Sequence, residues 1–162
     1  MKFAVGYQVF EDRAESFVDV VRDYRDHLAE IYFPWVQMPS GRASLNVSRG
    51  LVDWQRQGQL ERDLVAFREL GLSLDLLLNA NCYGGNAVSC FLENQGGSLL
   101  THLDDLVGGV DAVTTASPAI AHTIKTYFPQ VDVRASVNMR IGTIQGLSYS
   151  AQYFDSYCVQ RD

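Results

Sequence analysis

The sequence predicts an α/β fold, an incomplete (β/α)8 TIM-type barrel of about six parallel strands joined by crossover helices. Short apolar runs alternate with amphipathic stretches along the whole chain, which is typical of parallel strands crossed by helices. The 162 residues fall short of the ~250 that a complete eight-stranded barrel usually needs. No G-x-G-x-x-G motif follows the first apolar run, so a dinucleotide-binding open sheet has no support. An open doubly wound sheet of another kind stays the alternative.

The first half of the chain contains two strand–helix units and a third strand. The first strand is predicted from Phe3 to Tyr7 and the second from Glu30 to Phe33, and Gly71 is placed to end the second helix. Leucine fills most of the third strand, from Leu74 to Asn79, as expected of a strand covered on both faces. The helical positions are Phe17, Val20, Val21, Tyr24 and Leu28 in the first unit, and Leu60, Leu64, Phe67 and Leu70 in the second.

The second half repeats the pattern with explicit helix caps. We expect two short helices after the third strand, one capped by Asn86 and one that begins at Ser98 and ends at Gly108-Gly109. Ser117 followed by Pro118 predicts the start of another helix, because proline at the first helical position loses no hydrogen bond. Three further strands are predicted at 110–115, 131–137 and 156–160, and the strand at 131–137 alternates apolar with polar residues.

Length and composition predict one domain over residues 1–162, with a polar, lid-like insertion at 36–50. The formal charge of −6 provides no basic stripe, which disfavours nucleic acid as a partner. There is no signal-peptide pattern and no run of the ~20 apolar residues that cross a bilayer. Three cysteines without a C-x-x-C pair fit a reducing compartment, so a cytoplasmic protein is predicted.

The carboxyl ends of parallel barrel strands share one rim, where functional residues gather. Asn79, Asn81 and Tyr83 lie in the most distinctive segment of this rim, next to two glycines that allow close backbone approach. We expect these side chains to bind substrate, and Arg42 in the insertion to clamp a carboxylate or a phosphate. The plain structural alternative is a turn that satisfies its own backbone and a surface arginine on a solvated loop.

The sequence contains no complete catalytic constellation. Cys82 and Cys90 are eight positions apart, the wrong spacing for a closed zinc or iron–sulfur loop, so no metal site is predicted. A nucleophilic Cys82 would need a histidine base, but all three histidines fall in predicted helices. Asp162, beside Arg161, is the only acid at the projected end of a strand, where a carboxylate can act as a base.

Several segments, in order and spacing, resemble the collagenase-like peptidases of unassigned catalytic type, the U32 family of barrel proteins. The matching segments are Glu30-Ile31-Tyr32-Phe33, Gly41-Arg42, Leu74 to Asn79, Arg134-Ala135-Ser136 and Tyr157 to Asp162, which together span most of the chain. The resemblance is the main reason to expect the barrel and not the open sheet, and it implies a peptidase-family hydrolase that takes a peptide or small-molecule substrate. It implies rim roles for Arg42, Asn79, Ser136, Asn138, Arg161 and Asp162.

The chain departs from the family pattern in two places, with Asn138 where the family tends to have glutamine and Asp162 where it tends to have glutamate. Some relatives bind an iron–sulfur cluster through cysteines that come later than residue 162, so the cofactor of this chain is unknown. Two alternatives stay open: an iron–sulfur-dependent hydroxylation protein acting on RNA or a quinone precursor, and a non-catalytic binding module. Open sheet edges at the first and sixth strands predict self-association.

Overall fold

The computed structural model describes residues 2–9, 15–41 and 53–159. Over these ranges six parallel strands pair in chain order and form a curled half-barrel with alternating helices. The strands are β1 (Phe3–Gly6), β2 (Leu28–Pro34), β3 (Ser73–Leu78), β4 (Ala112–Thr115), β5 (Asp132–Ala135) and β6 (Ser156–Tyr157). The helices are α1 (Phe17–Asp23), α2 (Trp54–Glu69), α3 (Cys90–Val107), α4 (Pro118–Tyr127) and α5 (Ile144–Ser150). The predicted incomplete barrel is confirmed.

One face of the sheet packs against the helices and holds the hydrophobic core. Alternate residues of a strand point to opposite faces, and on β3 the helix-facing residues Leu74, Leu76 and Leu78 are completely buried. The predicted spacing of α2 is confirmed, because Leu60, Leu64 and Phe67 lie on its buried stripe. Further members of this core are Ile31 and Phe33 of β2, Leu103 of α3, Val113 of β4, Ile124 of α4 and Val133 of β5.

Side-chain caps fix where the helices begin. Asp53 caps α2 by accepting hydrogen bonds from the backbone N–H groups of residues 55 and 56, and Gly71 follows the helix with a left-handed φ of 70°. The predicted cap of α4 is confirmed, with Ser117 Oγ accepting from the N–H of Ile120 and Pro118 in the first turn. None of the helices in the described ranges combines the length and apolar character of a membrane span.

The prediction of two short helices between 86 and 108 is wrong, because a single helix, α3, occupies 90–107. Its cap is Ser89, whose Oγ accepts from the N–H of Leu92, and Ser98 lies inside the helix. Gly96-Gly97 costs the helix about 2 kcal/mol in propensity. That cost is offset because a continuous buried stripe crosses the glycines. The stripe consists of Leu92, Gly96, Leu99, Leu100, Leu103 and Val107.

Other element boundaries also differ from the prediction, and one helix was not predicted. Leu28 begins β2 and does not extend α1, because a short 3-10 turn at Arg25–His27 separates the two elements. β5 ends at Ala135, where Ser136 caps a second 3-10 turn. Helix α5 has no counterpart in the prediction, since its exposed apolar residues form no periodic stripe.

A buried hydrogen bond ties the end of β1 to α2. The hydroxyl of Tyr7 donates to Asp63 Oδ2 over 2.9 Å, and the Tyr7 ring packs edge to face against Phe17 and Phe67. Burial, together with the neighbouring Asp63 carboxylate, raises the pKa of Tyr7 well above its ordinary value. Burial also raises the pKa of Asp63, against the hydrogen bond from Tyr7.

Candidate functional site

The predicted rim residues divide into those that the structure describes and those that it does not. Arg42, Arg161 and Asp162 lie outside the described residues. Their proposed roles therefore stay predictions. The described members are Asn79, Asn81, Tyr83, Ser136 and Asn138.

Asn79 and Asn138 meet at the carboxyl end of the sheet, as predicted for a shared rim. Asn138 Nδ2 donates to the backbone oxygen of Asn79 over 2.9 Å. The side-chain oxygen of Asn79 accepts from Ser40 Oγ at 3.0 Å and from the N–H of Gly41 at 2.9 Å. These four residues, which we call the rim cluster, bring the chain immediately before Arg42 onto the end of β3.

A glycine is needed at position 41, where these segments of the chain meet. A Cβ atom built on Gly41 would lie 2.7 Å from Asn138 Nδ2 and 3.3 Å from the backbone oxygen of Asn79. Any larger residue would therefore displace the amide that joins the ends of β3 and β5. The glycine matters here for close approach and not for an unusual φ.

The other predicted rim residues have different surroundings. Ser136 is buried, and its Oγ accepts from the N–H of Asn138 at 3.2 Å, so it orients Asn138. The Tyr83 hydroxyl donates to the backbone oxygen of Leu78 over 2.6 Å, and burial raises the pKa of Tyr83 to about 12. Asn81 is exposed in the loop after β3. Ser136 and Tyr83 thus stabilise the rim, and Asn81 is open to solvent.

A second polar group lies on the concave face of the sheet, on the opposite side from the hydrophobic core. Glu30 of β2, Asp75 of β3, Asp132 of β5 and Arg134 of β5 form this group, which we call the concave cluster. The Arg134 guanidinium binds Glu30 bidentately, with Nη1–Oε1 at 2.9 Å and Nη2–Oε2 at 3.1 Å. It also lies 3.2 Å from Asp75 Oδ2 and 3.4 Å from Asp132 Oδ2. One cation therefore serves three carboxylates.

Hydroxyl groups from β4 and β6 complete this network. Thr114 Oγ1 donates to Asp75 Oδ2 over 2.7 Å, and Ser156 Oγ donates to Asp132 Oδ2 over 2.7 Å. Five neighbouring strands consequently contribute to one polar layer. Such a layer is held in place by the sheet itself, so its side chains are preorganised.

Asp75 has the most unusual environment in the concave cluster. Its side chain is 4% exposed, and Oδ1 has no hydrogen-bond partner among the described residues. Burial raises its pKa to about 6, although the hydrogen bond from Thr114 and the charge of Arg134 act in the opposite direction. A carboxyl group that titrates this close to neutrality can exchange protons in a reaction.

The concave cluster was not predicted from the sequence as a site. The available signal is a single acid within the leucine-rich third strand, together with Arg134 at a polar position of the fifth. An acid is almost never fully buried without a partner, so Asp75 predicts a polar contact across the sheet. Which residue supplies that contact depends on strand order and register.

The cysteines do not form a site in the described structure. Cys82, Cys90 and Cys158 are free and exposed. Partial burial raises the pKa of the Cys158 thiol, against the effect of Arg134, so the thiol stays protonated at neutral pH. Within the described ranges no three histidine, cysteine, aspartate or glutamate side chains group as a metal site.

Comparison with solved structures finds the same architecture in "The Structure of the U32 Peptidase Mk0906". The superposition has a TM-score of 0.67 and 18% sequence identity, and covers 98% of this chain. It covers 58% of the Mk0906 chain, so the present chain spans little more than half of that protein. No protein-family model and no curated protein matches the sequence. The chain therefore shares its fold with a U32 peptidase.

Proposed function

We propose that this chain is a peptidase-type hydrolase with its active site on the concave face of the half-barrel. Its fold is that of Mk0906, a protein described as a U32 peptidase. The order of the sequence segments that resemble this family gives independent support, because it does not depend on the superposition. The finer assignment below rests on the geometry of the concave cluster and the rim cluster.

The buried environment of Asp75 and its raised pKa are the observation that supports the proposal. The Asp75 carboxylate takes a proton from a water molecule as the water oxygen attacks the carbonyl carbon of a peptide bond. The resulting carboxylic acid returns the proton to the leaving amine as the carbon–nitrogen bond breaks. A pKa of about 6 suits both steps, because the group is mainly ionised at neutral pH and still becomes a usable acid.

The rim cluster holds the substrate in this scheme. Asn79 and Asn138 are hydrogen-bonded to each other at the rim, and Asn81 is exposed to solvent nearby. Arg42 follows directly after Gly41 in the sequence. Amide side chains bind the N–H and C=O groups of an extended peptide, and a guanidinium binds a carboxylate. Arg161 and Asp162, which follow β6 in the sequence, are proposed as further catalytic groups.

The test compares peptide hydrolysis by the wild-type chain with hydrolysis by the Asp75→Asn variant, using an internally quenched peptide library. We expect kcat to fall by about 100-fold or more, since the amide cannot accept a proton. Asp105→Asn is the matched control, because Asp105 is exposed on α3. The wild-type kcat/KM should rise with pH through about 6, as the base loses its proton.

The proposal is rejected if the wild type hydrolyses no member of the library, or if Asp75→Asn is as active as the control. Circular dichroism of each variant shows whether a loss of activity reflects loss of fold. If the variant is unfolded, the pH profile of the wild type decides, because a rate independent of pH between about 5 and 7 excludes Asp75 as the base.

A non-catalytic binding module is the second candidate. It is favoured by the internal use of Arg134, since the guanidinium binds carboxylates of its own chain and is not free to stabilise the developing charge of a reaction. In this case Asn79→Ala weakens peptide binding about tenfold with no turnover by any variant. Isothermal titration with unhydrolysed library peptides measures the difference.

We also propose self-association through the sheet edges. β1 and β6 are the edge strands of the described sheet, and unpaired backbone groups can pair with a second chain. Phe3 on β1 is 51% exposed and adds apolar surface to that edge. Light scattering should show a dimer or a larger species, and a monomer at all concentrations would contradict this.

A further inference from the structure

A groove of about 480 Å³ lies between α2 and α3, and no function proposed above uses it. We call it the α2–α3 groove. It shares no residue with the rim cluster or the concave cluster. Its volume lies within the range of sites that bind small organic molecules. The lining includes Trp35, Met38, Trp54, Gln57, Phe91 and His102.

Four side chains with aromatic rings line the α2–α3 groove. Trp54 of α2 is 68% exposed and Phe91 of α3 is 57% exposed. Trp35 is buried beside them, and its ring meets the His102 ring edge to face at 5.7 Å. Exposed aromatic rings that line a groove offer a flat, apolar group more contact area than an isolated surface residue can.

Gln57 gives the groove a hydrogen-bond acceptor without a donor. Its side chain is buried, Nε2 donates to Glu61 Oε1 over 2.8 Å, and Oε1 has no partner in the described part of the chain. The amide cannot turn round, because its oxygen would then face the Glu61 carboxylate. A buried acceptor without a donor destabilises the free protein, and a ligand N–H would remove that cost.

The charge of the lining selects a positive ligand. Glu61 supplies a carboxylate, with Oε1 2.8 Å from Gln57 Nε2 and 3.3 Å from His102 Nε2. Among the described residues, no lysine or arginine lines the groove. The faces of tryptophan and phenylalanine rings also attract ammonium groups. Shape and charge therefore favour the same kind of molecule.

We propose that the α2–α3 groove binds a small molecule in which an aromatic ring is joined to a protonated amine. The ring lies against Trp54 and Phe91, and the ammonium group donates to Gln57 Oε1 and the Glu61 carboxylate. This site does not depend on the proposed hydrolase activity. It would exist equally in a non-catalytic protein.

The first experiment titrates the ¹⁵N-labelled full chain with 2-phenylethylamine and follows amide chemical shifts. Phenylacetate keeps the ring and reverses the charge, and butylamine keeps the amine without the ring. We expect shifts confined to α2, α3 and residues 35–38 with 2-phenylethylamine, and binding weaker by about tenfold with either control compound. Equal binding of phenylacetate, or no shifts in the groove with 2-phenylethylamine, would overturn the proposal.

The second experiment repeats the titration with variants of the groove. Gln57→Leu removes the acceptor at similar size, and Trp54→Ala removes a wall, so each should weaken 2-phenylethylamine binding by about tenfold. Gln55→Leu is the matched control, since Gln55 is exposed on the same helix and does not line the groove. Unchanged affinity in Trp54→Ala, whose exposed side chain is not needed for folding, would count against the site.

A second copy of the chain is the competing occupant of the groove. Sedimentation velocity of the wild type and of Trp54→Ala distinguishes the two cases. A dimer that Trp54→Ala abolishes and that 2-phenylethylamine does not dissociate would show that the groove is an interface, and would overturn the small-molecule proposal. An oligomeric state that Trp54→Ala leaves unchanged supports it, together with the titrations.

Discussion

The two faces of β3 differ more than its sequence suggests. On the helix side Leu74, Leu76 and Leu78 are fully buried in an apolar core. On the concave side Asp75 lies in a network of charges and hydroxyl groups, although it is buried almost as completely. Residues of β3 that are buried to the same extent therefore lie in two different chemical environments. One face is stabilised by packing, and the other depends on the balance of charge.

This difference also shows why the concave face is the better candidate for function. The side chains of the helix-facing core are all packed against one another and serve to stabilise the fold. The concave cluster combines three carboxylates with one guanidinium, which leaves an excess of negative charge and one buried oxygen that has no hydrogen-bond partner among residues 2–9, 15–41 and 53–159. Such an arrangement costs stability and is retained where a reaction or a ligand uses it.

The largest effect is expected from removing the cation. Arg134→Met leaves three carboxylates on the concave face without a counter-charge, and should lower the free energy of unfolding at neutral pH by about 4 kcal/mol. Part of this loss should return at about pH 5, as the carboxylates take up protons. Guanidinium chloride denaturation measures both values.

Arg22→Met is the matched control for this experiment. Arg22 pairs with Asp19 on the surface of α1, with 58% and 51% of the two side chains exposed. The same substitution there should cost much less than Arg134→Met, because water screens an exposed ion pair. Similar losses at the two positions would show that the concave cluster contributes no more than a surface pair.

Neighbouring leucines on β3 test the two faces directly. Leu76→Ala opens a cavity in the helix-facing core and should cost about 3 kcal/mol, whereas Leu77→Ala on the concave side should cost about 2 kcal/mol. Leu76 is 0% exposed and belongs to the core, and Leu77 is 5% exposed and points away from it. Thermal or chemical denaturation compares them, and a larger loss for Leu77→Ala would reverse the assignment of the faces.

The titration of Asp75 gives the concave face a pH dependence that the core lacks. Its pKa is raised from 3.8 to about 6 on folding, so its protonated form stabilises the native state at low pH. That contribution is complete below the unfolded pKa and is lost as the pH rises through about 6. Asp75→Asn cannot titrate, and removes this contribution.

We therefore expect the difference in unfolding free energy between wild type and Asp75→Asn to change by about 2 kcal/mol between about pH 4.5 and pH 7, with wild type relatively more stable at the lower pH. Asp105→Asn is the control for this comparison, because Asp105 is exposed on α3. Urea denaturation at the two pH values makes the measurement. A constant difference would mean that Asp75 titrates normally in the folded chain.

The smallest effect is expected in the rim cluster. Gly41→Ala places a Cβ against Asn138 Nδ2 and should cost about 1 kcal/mol through the Asn138–Asn79 hydrogen bond. Gly142→Ala is the control, because nothing lies within 4 Å of a Cβ built there. Equal stability of the two variants would indicate that the rim accommodates a side chain, and would weaken its role in binding.

The fold was predictable from the sequence because strands, helices and caps each leave a local pattern. The leucine run of β3 and the Ser117-Pro118 cap are examples. The continuity of α3 was not predictable from the sequence. Gly96-Gly97 predicts a break in the helix, and only packing against neighbouring elements overrides this local preference. Asn79 and Asn138 could be placed at one rim by the parallel topology alone.

Prediction of the concave cluster requires information that a linear sequence does not contain. Glu30 and Arg134 are 104 positions apart, and their ion pair depends on strand order, curvature and register together. The run of leucines also concealed the alternation of β3, because Leu77 on the polar face is as apolar as its neighbours. In β5 the same alternation is visible, since Asp132 and Arg134 interrupt the apolar residues.

The hydrogen bond between Tyr7 and Asp63 affects how the protein unfolds locally. In the described sheet β1 pairs with β2 on one side only, so its amides would ordinarily exchange with solvent by local fraying. The buried contact 56 residues along the chain couples that strand to α2. The amides of β1 should then share the protection of α2 in hydrogen exchange, and the two elements should unfold as one cooperative unit.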